Sequence, residues 1–267
     1  MILIKEKLIF YTDKIKMEFR IITYNIFGER LTNGRELARS LKKYNPDFIG
    51  LQEVDRNTKR SKFRDVVQEM AQKLGYHYHY FQKTMDFDKG EFGIAFISKY
   101  DVKNIYIHQL PGKSKEKRQV LAARLNTSKF KNKILIVNTH LDNSLDNKNE
   151  ELADLFAAIE GFKGDVKFLC GDFNLLPTTE YYAKIRKDWN DSYFQGRDLE
   201  NKKNSENRKL ETARIDYMMA KKRMITALRR VFILMMIREI GRNCRIICRI
   251  WRFLRWNKFI GNDSEIF

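Results

Sequence analysis

Apolar residues in this chain come in short runs that stop at a polar residue, and these runs alternate with segments whose apolar positions recur every three or four residues. Phe19 to Tyr24 is β-branched and aromatic and runs into Asn25, Ile26, Phe27 and Gly28, which predicts a strand closed by a turn. Asn33 is placed to cap a helix with Leu37, Ala38 and Leu41 on one side, and Tyr44-Asn45-Pro46-Asp47 breaks it. Phe48 to Leu51 predicts a strand handing over to Gln52 and Glu53. Val66, Val67, Met70 and Leu74 predict an amphipathic helix over 63–75, stopped by Gly75. Further strands are predicted at 93–98 and 134–139. Pro111-Gly112 opens a basic loop through Lys113, Lys115, Lys117 and Arg118. Asp146 to Glu160 reads as a helix with Leu152, Leu155, Phe156 and Ile159 inward. The strand from Val166 follows, then a short helix through Tyr182 and Ile185, a polar loop over 196–209, and a last strand at Arg214 to Tyr217. Strand, crossover helix, strand is the α/β pattern.

The polar residues that close these runs carry the candidate chemistry. Val166 to Asn174 reads as a buried strand that delivers Asp172 and Asn174 to one site while Phe173 turns into the packing. Gly-Asp-x-Asn is equally good turn chemistry, so this stretch alone does not choose between a site and a bend. Asn25, Glu53, His140 and Asp216 end or begin other apolar segments in the same way. Glu53 reads as either a solvated strand end or a cation ligand. His77 and His79 share a face of an aromatic strand, lack a third ligand nearby, and read as packing or surface residues outside the site.

Charge narrows the partners. The chain of 267 residues carries 52 Lys and Arg against 34 Asp and Glu, a net charge of +18, which points to a polyanionic partner such as nucleic acid or an anionic membrane surface. Residues from Arg223 onward contribute +7 of this, so the preceding part is itself basic at +11. Three cysteines without regular spacing, Cys170, Cys244 and Cys248, form neither a disulfide framework nor a zinc set; a reducing compartment, the cytoplasm, is expected. No run is long enough to span a bilayer, and the opening segment is too interrupted by charge for a secretory signal.

Taken in order, Thr23-Tyr24-Asn25, Leu51-Gln52-Glu53-Val54-Asp55, Asn138-Thr139-His140-Leu141-Asp142, Gly171-Asp172-Phe173-Asn174 and Arg214-Ile215-Asp216-Tyr217 resemble the motifs of the endonuclease/exonuclease/phosphatase superfamily over about residues 17–222. The resemblance implies two β-sheets packed face to face with helices outside, a four-layer α/β sandwich with the site at one edge. It implies a phosphoesterase that uses Mg²⁺, with Mn²⁺ as the alternative, to hydrolyse a phosphodiester in nucleic acid or phospholipid. Glu53, helped by Asn25, would hold the metal, Asp172 and Asn174 would orient and activate the attacking water, and His140 would donate to a phosphate oxygen. Asp216 completes the catalytic set, and Arg60 and Arg118 are expected to contact substrate. A monomer is expected.

The same resemblance exposes a departure. The superfamily closes with a Ser-Asp-His motif whose histidine pairs with the aspartate of the Ile-Asp-Tyr segment, and this chain has no histidine after His140. The expectation is therefore a sandwich whose last strand is missing, with an impaired enzyme or, alternatively, a catalytically dead module that binds polyanions or membranes. The chain divides into a leader over 1–16 of unassigned role (the start being Met1 or Met17), a catalytic domain over 17–222 and an arginine-rich tail over 223–267. Arg238, Arg242, Arg245, Arg249 and Arg252 recur at helical spacing, so 238–256 reads as a cationic amphipathic helix for anionic lipid or nucleic acid, or as an out-of-frame ending, which the abrupt switch from lysine to arginine favours.

Overall fold

A computed structural model describes residues 19–28, 33–128, 133–195, 214–222, 232–238 and 246–252. The strands are β1 (Arg20–Asn25), β2 (Phe48–Arg56), β3 (Tyr78–Phe87), β4 (Gly90–Ser98), β5 (Asp101–Gln109), β6 (Gln119–Asn126), β7 (Ile134–His140), β8 (Val166–Asp172), β9 (Trp189–Asp191), β10 (Asp216–Lys221), β11 (Phe232–Arg238) and β12 (Ile246–Arg252). The helices are α1 (Gly34–Lys42), α2 (Val66–Leu74), α3 (Lys148–Gly161), α4 (Glu180–Asp188) and α5 (Ser192–Gln195).

The strands form two sheets of six. One has the order β12-β11-β1-β2-β4-β3 and the other β5-β6-β7-β8-β10-β9. In each, one parallel pair is joined by a crossover helix: β1 to β2 through α1, and β7 to β8 through α3. Central strands are buried on both faces, so β7 and β8 are buried at every position. Phe19, Ile21, Phe48 and Phe96 meet Leu121, Ile136, Phe168 and Met218 between the sheets. Leu37 and Leu41 of α1 and Val67 and Met70 of α2 cover Ile22, Ile49 and Leu51 on one outer face. Leu152 and Leu155 of α3 and Ile185 of α4 cover Leu135, Val137 and Leu169 on the other. The result is the expected four-layer sandwich.

Boundaries follow capping chemistry. Asn33 and Asp65 accept from the amides of Glu36 and Gln68, starting α1 and α2. Gly75, at φ 79°, ends α2 by donating to the carbonyls of Ala71 and Gln72. The expected start of α2 at Phe63 is corrected by this cap: Lys62 and Phe63 have φ 56° and 57°, outside helical backbone, and Phe63 is exposed. Strands β5 and β6 went unread, because β5 is an edge with little alternation and Gln119-Val-Leu-Ala-Ala-Arg-Leu has a helix-like composition.

The largest correction lies past Lys222. A strand was not expected here, yet β11 pairs in parallel with β1 from Arg20 opposite Phe232 to Thr23 opposite Met235, without the Ser-Asp-His motif. β12 then pairs antiparallel with β11, Phe232 opposite Arg252 and Arg238 opposite Ile246. Of the proposed helix over 238–256, Arg238, Arg249 and Arg252 lie in strands, whereas Arg242 and Arg245 fall outside the described residues. A short apolar run carries no period strong enough to choose helix over strand, and the open edge of β1 offers backbone partners that a surface helix does not. The leader over 1–16 is also outside the described residues.

One buried polar cluster joins the sheets. Between Leu51 and Val54 the register of β2 against β4 shifts, which makes a bulge. The Asn138 side chain crosses from β7 and donates to the carbonyl oxygens of Leu51 and Ala95, both at 3.0 Å. Gln52 Nε2 donates to Asn138 Oδ1 (2.5 Å) and to Thr23 Oγ1 (3.2 Å). Gln52, Thr23 and Asn138 are all fully buried. Asn138→Ala should therefore lower stability by about 3 kcal/mol, because two carbonyls and an amide lose their partners in a dry core. A urea midpoint that moves with unchanged m would show this, and an unmoved midpoint would contradict it.

Candidate active site

The strand-end residues converge at one end of the sandwich. Asn25 closes β1, Glu53 occupies the β2 bulge, His140 closes β7 and Asp172 closes β8 beside it in parallel register. Three backbone devices aim them. Glu53 takes φ 55°, a left-handed conformation that a side chain holds only when its surroundings enforce it. Gly171 has φ 143°, and a Cβ there would stand 1.9 Å from the Thr139 carbonyl oxygen, so only glycine brings β8 this close to β7. Asn174 has φ 48°, and its amide donates to Asp172 Oδ1 (2.9 Å), a turn that folds the two side chains together. The Gly-Asp-x-Asn stretch forms the turn, and the turn leaves Asp172 and Asn174 side by side at the strand end. Phe173 is buried against Tyr217, as the pattern predicted.

Asn25 bridges the two carboxylates. Its Nδ2 donates to Glu53 Oε1 and to Asp172 Oδ2, each at 2.9 Å, while its Oδ1 accepts from the Phe27 amide (3.0 Å). Burial pushes the Asp172 carboxyl up from its ordinary value and the nearby Glu53 adds to this, against the hydrogen bonds from Asn25 and Asn174. Asn174 Nδ2 donates to the Leu141 carbonyl (2.9 Å) and lies 3.2 Å from His140 Nε2. Both hydrogens of that amide nitrogen are thus engaged, and Nε2 is the acceptor of a neutral ring. Burial, then the positive charges of Arg118 and Lys148, hold the His140 imidazole well below its ordinary pKa.

A cleft of about 290 Å³ opens over this cluster, lined by Glu53, Arg60, Glu116, Arg118, His140, Asn143 and Asn174 on its polar side and by Met85, Phe87 and Phe92 on its apolar side. Arg60 is fixed by a two-point pair with Asp55, Nε to Oδ2 (2.8 Å) and Nη2 to Oδ1 (3.0 Å), and its guanidinium lies 4.5 Å from the centre of the Phe87 ring. Arg118 pairs with Glu116 (2.9 Å). Asp216 is buried opposite Asp172 across the β8–β10 ladder and is not among the cleft-lining residues. His77 and His79 are exposed and do not line the cleft.

The residues 22–237 match the model of the endonuclease/exonuclease/phosphatase family. The chain belongs to that family. The match runs past Lys222 through most of β11, beyond the limit drawn from the motifs. Among solved structures, a family protein from Bacteroides vulgatus is 14% identical with a TM-score of 0.61, over 87% of this chain and 95% of that one. The human Nocturnin catalytic domain is 21% identical at 0.57, over 74% and 80%. A family protein from Beutenbergia cavernae is 17% identical at 0.59, over 74% of this chain and 63% of that one, so the match spans just under two thirds of the latter. No curated protein sequence matches. At these identities the structures establish the fold.

The sequence pattern gave no role to Asn138 and Gln52, which form the buried cluster beneath the cleft, or to Glu116, which lines it. Glu116 was hidden in a loop read only as basic, although its spacing from Arg118, just before a strand, was visible. Behind the cleft, Lys148 and Glu151 are both fully buried, with Lys148 Nζ on Glu151 Oε2 (2.7 Å) and on the Asp142 carbonyl, and Glu151 Oε1 accepting the Asp142 amide (2.7 Å). This pins the segment that follows His140. Arg214 is likewise buried, paired with Asp191 and donating to Tyr182 Oη (3.0 Å), which anchors the start of β10.

The neutral imidazole links folding to pH. With its folded pKa below the ordinary 6.5, the unfolded chain binds more protons under that pH, and stability falls as pH drops from 6.5 toward the folded value. The limiting slope is about 1.4 kcal/mol per pH unit. Burial raises Asp172, Glu116 and Glu151, an effect of opposite sign, so the measurement is the difference between wild type and His140→Gln. That difference should narrow between pH 6.5 and 5.5; a constant difference would show that the ring is not held neutral.

Proposed function

We propose that this chain is a divalent-metal-dependent phosphodiesterase, with Mg²⁺ as the working ion and Mn²⁺ as a substitute. The observation that carries the reading is the Asn25 amide shared between Glu53 and Asp172, a locus where two carboxylates face one donor instead of a cation. Among the described residues no three His, Cys, Asp or Glu side chains form a metal cage. Such a donor set suits Mg²⁺, which takes one or two carboxylates, retains waters and completes its shell with substrate phosphate. Glu53, with Asn25 turned to present its oxygen, would hold the ion, which supplies Lewis-acid polarisation of the phosphoryl group when bound.

The remaining roles belong to the chain's own side chains. Asp172 accepts a hydrogen bond from the attacking water and, with Asn174, sets its direction toward phosphorus. His140 lies beside them as a neutral ring whose Nε2 holds the Asn174 amide, so it positions Asn174 in place of the expected donation to a phosphate oxygen. Arg60 and Arg118 supply the positive charge that a phosphodiester needs, and each is held by its own carboxylate so that it reaches the cleft pre-oriented. Asp216 supports Asp172 from the adjacent strand.

Nucleic acid is the substrate class favoured by the net charge of +11 that remains before Arg223, with phospholipid as the alternative. Among the described residues no helix is long and apolar enough to cross a membrane. A cytoplasmic setting agrees with the buried free thiol of Cys170.

The test is hydrolysis of single-stranded DNA, RNA and phosphatidylcholine vesicles by the full chain, with and without Mg²⁺ and EDTA. Turnover should require the ion, and Glu53→Ala or Asp172→Asn should lower it by about 10²-fold or more. Mg²⁺ should also raise the melting temperature of the wild type and not of Glu53→Ala. Polyanion binding without turnover, unchanged in Glu53→Ala, would replace the enzyme with a binding module.

A further inference from the structure

Four histidines occur in the chain, and His140 is the only one lining the cleft. His108 pairs with Asp154 (2.7 Å), and His77 and His79 are exposed. The proton position on this one ring therefore matters more than it would in a site with a second imidazole. Its Nε2 receives the amide of Asn174. The proton of the neutral ring is then on Nδ1, a buried atom without a hydrogen-bond partner. The nearest carboxylate to it is Glu116, whose Oε1 is 3.8 Å away and also 3.4 Å from Thr84 Oγ1, while its other oxygen pairs with Arg118. An unpartnered donor in such a place is unfavourable, and site contacts that are long without ligand commonly tighten when ligand binds.

We infer that Glu116 is a positioning residue: its carboxylate accepts the Nδ1 proton of His140 and thereby decides which end of the Asn174 amide faces the attacking water. The steps are local. A ring with its proton on Nδ1 offers Nε2 as an acceptor, which holds Asn174 Nδ2 between His140 and the Leu141 carbonyl. The amide oxygen of Asn174 is then the atom left to receive a proton of water. With the proton on Nε2 instead, ring and amide would meet donor to donor, the amide would turn over, and its NH₂ would face the water beside Asp172. Glu116 touches neither water nor phosphate in this scheme and works through His140 and Asn174.

The inference rests on the phosphodiesterase reading for its kinetic part and stands apart from it for its spectroscopic part. The chain, labelled with ¹⁵N at histidine, is examined without metal near pH 7.5, and the His140 signals are assigned with His140→Gln. Wild type should show the Nδ1–H tautomer, Glu116→Ala a shift toward Nε2–H, and Glu116→Gln, whose side-chain oxygen can still accept, the wild-type pattern. With bis(p-nitrophenyl) phosphate and Mg²⁺, Glu116→Ala should lower kcat about 10- to 100-fold with KM within about threefold, the range seen when an imidazole loses its orienting partner. Glu116→Gln should recover to within about fivefold of wild type by the same reasoning. Identical ring signals in wild type and Glu116→Ala, an Nε2–H ring in wild type, or equal loss of kcat in both variants would overturn the inference. Inactivity of the wild type toward every phosphoester would remove the phosphodiesterase reading, and the ring tautomer would still decide for or against Glu116.

Discussion

The structure turns on one side chain that repairs a fault in the sheet. A bulge in β2 is what points Glu53 into the cleft, and a bulge inside a buried sheet strands backbone carbonyls that would otherwise be in the ladder. Asn138, reaching over from the opposite sheet, takes up the carbonyls of Leu51 and Ala95 with its two amide hydrogens and accepts from Gln52 with its oxygen. Each of these bonds is modest in net worth, but their loss would expose several unsatisfied groups at once in a low-dielectric core. The same contact fixes the distance between the sheets below the site. Gly50 is part of this fit, since a Cβ there would stand 3.0 Å from Asn138 Oδ1.

Because the two sheets are locked in this way, the ends of β1, β2, β7 and β8 are rigidly related, and the carboxylates of Glu53 and Asp172 can be held around one amide. Their mutual repulsion and their burial both oppose the charged state of Asp172. Arg60 and Arg118 face the same cleft, each partly neutralised by its own carboxylate, Asp55 or Glu116. The proposed cation and its phosphate would offset these charges.

Sequence and structure disagreed most where local pattern was weakest. The arginines after Lys222 recur at helical spacing, yet Phe232–Arg238 and Ile246–Arg252 are strands, because the open edge of β1 supplies a ladder of partners that no periodicity in the segment itself records. Strand β6 was lost for a similar reason: Ala122 and Ala123 carry no strand preference of their own and are set by their neighbours in β5 and β7. Arg60 and Arg118 were legible as basic residues near motifs, and only the fold shows that they line the cleft with Glu116.

What the sequence determined by itself is the set of elements with strong period or sharp ends: β1, β7 and β8 as apolar runs closed by Asn25, His140 and Asp172, the first half of β2 ahead of Glu53, α1 from its Asn33 cap and the end of α2 at Gly75. These features are local, written within a few residues by burial and hydrogen-bonding preference. The tertiary structure alone decided the bulge at Glu53, the left-handed turn at Asn174, the bridging role of Asn138, the approach of Glu116 to His140 and the strand that completes the sheet beside β1. Each of these joins positions 24 or more residues apart or needs a backbone conformation that its own residue disfavours, so the physical cause lies in contacts that exist only once both sheets have come together.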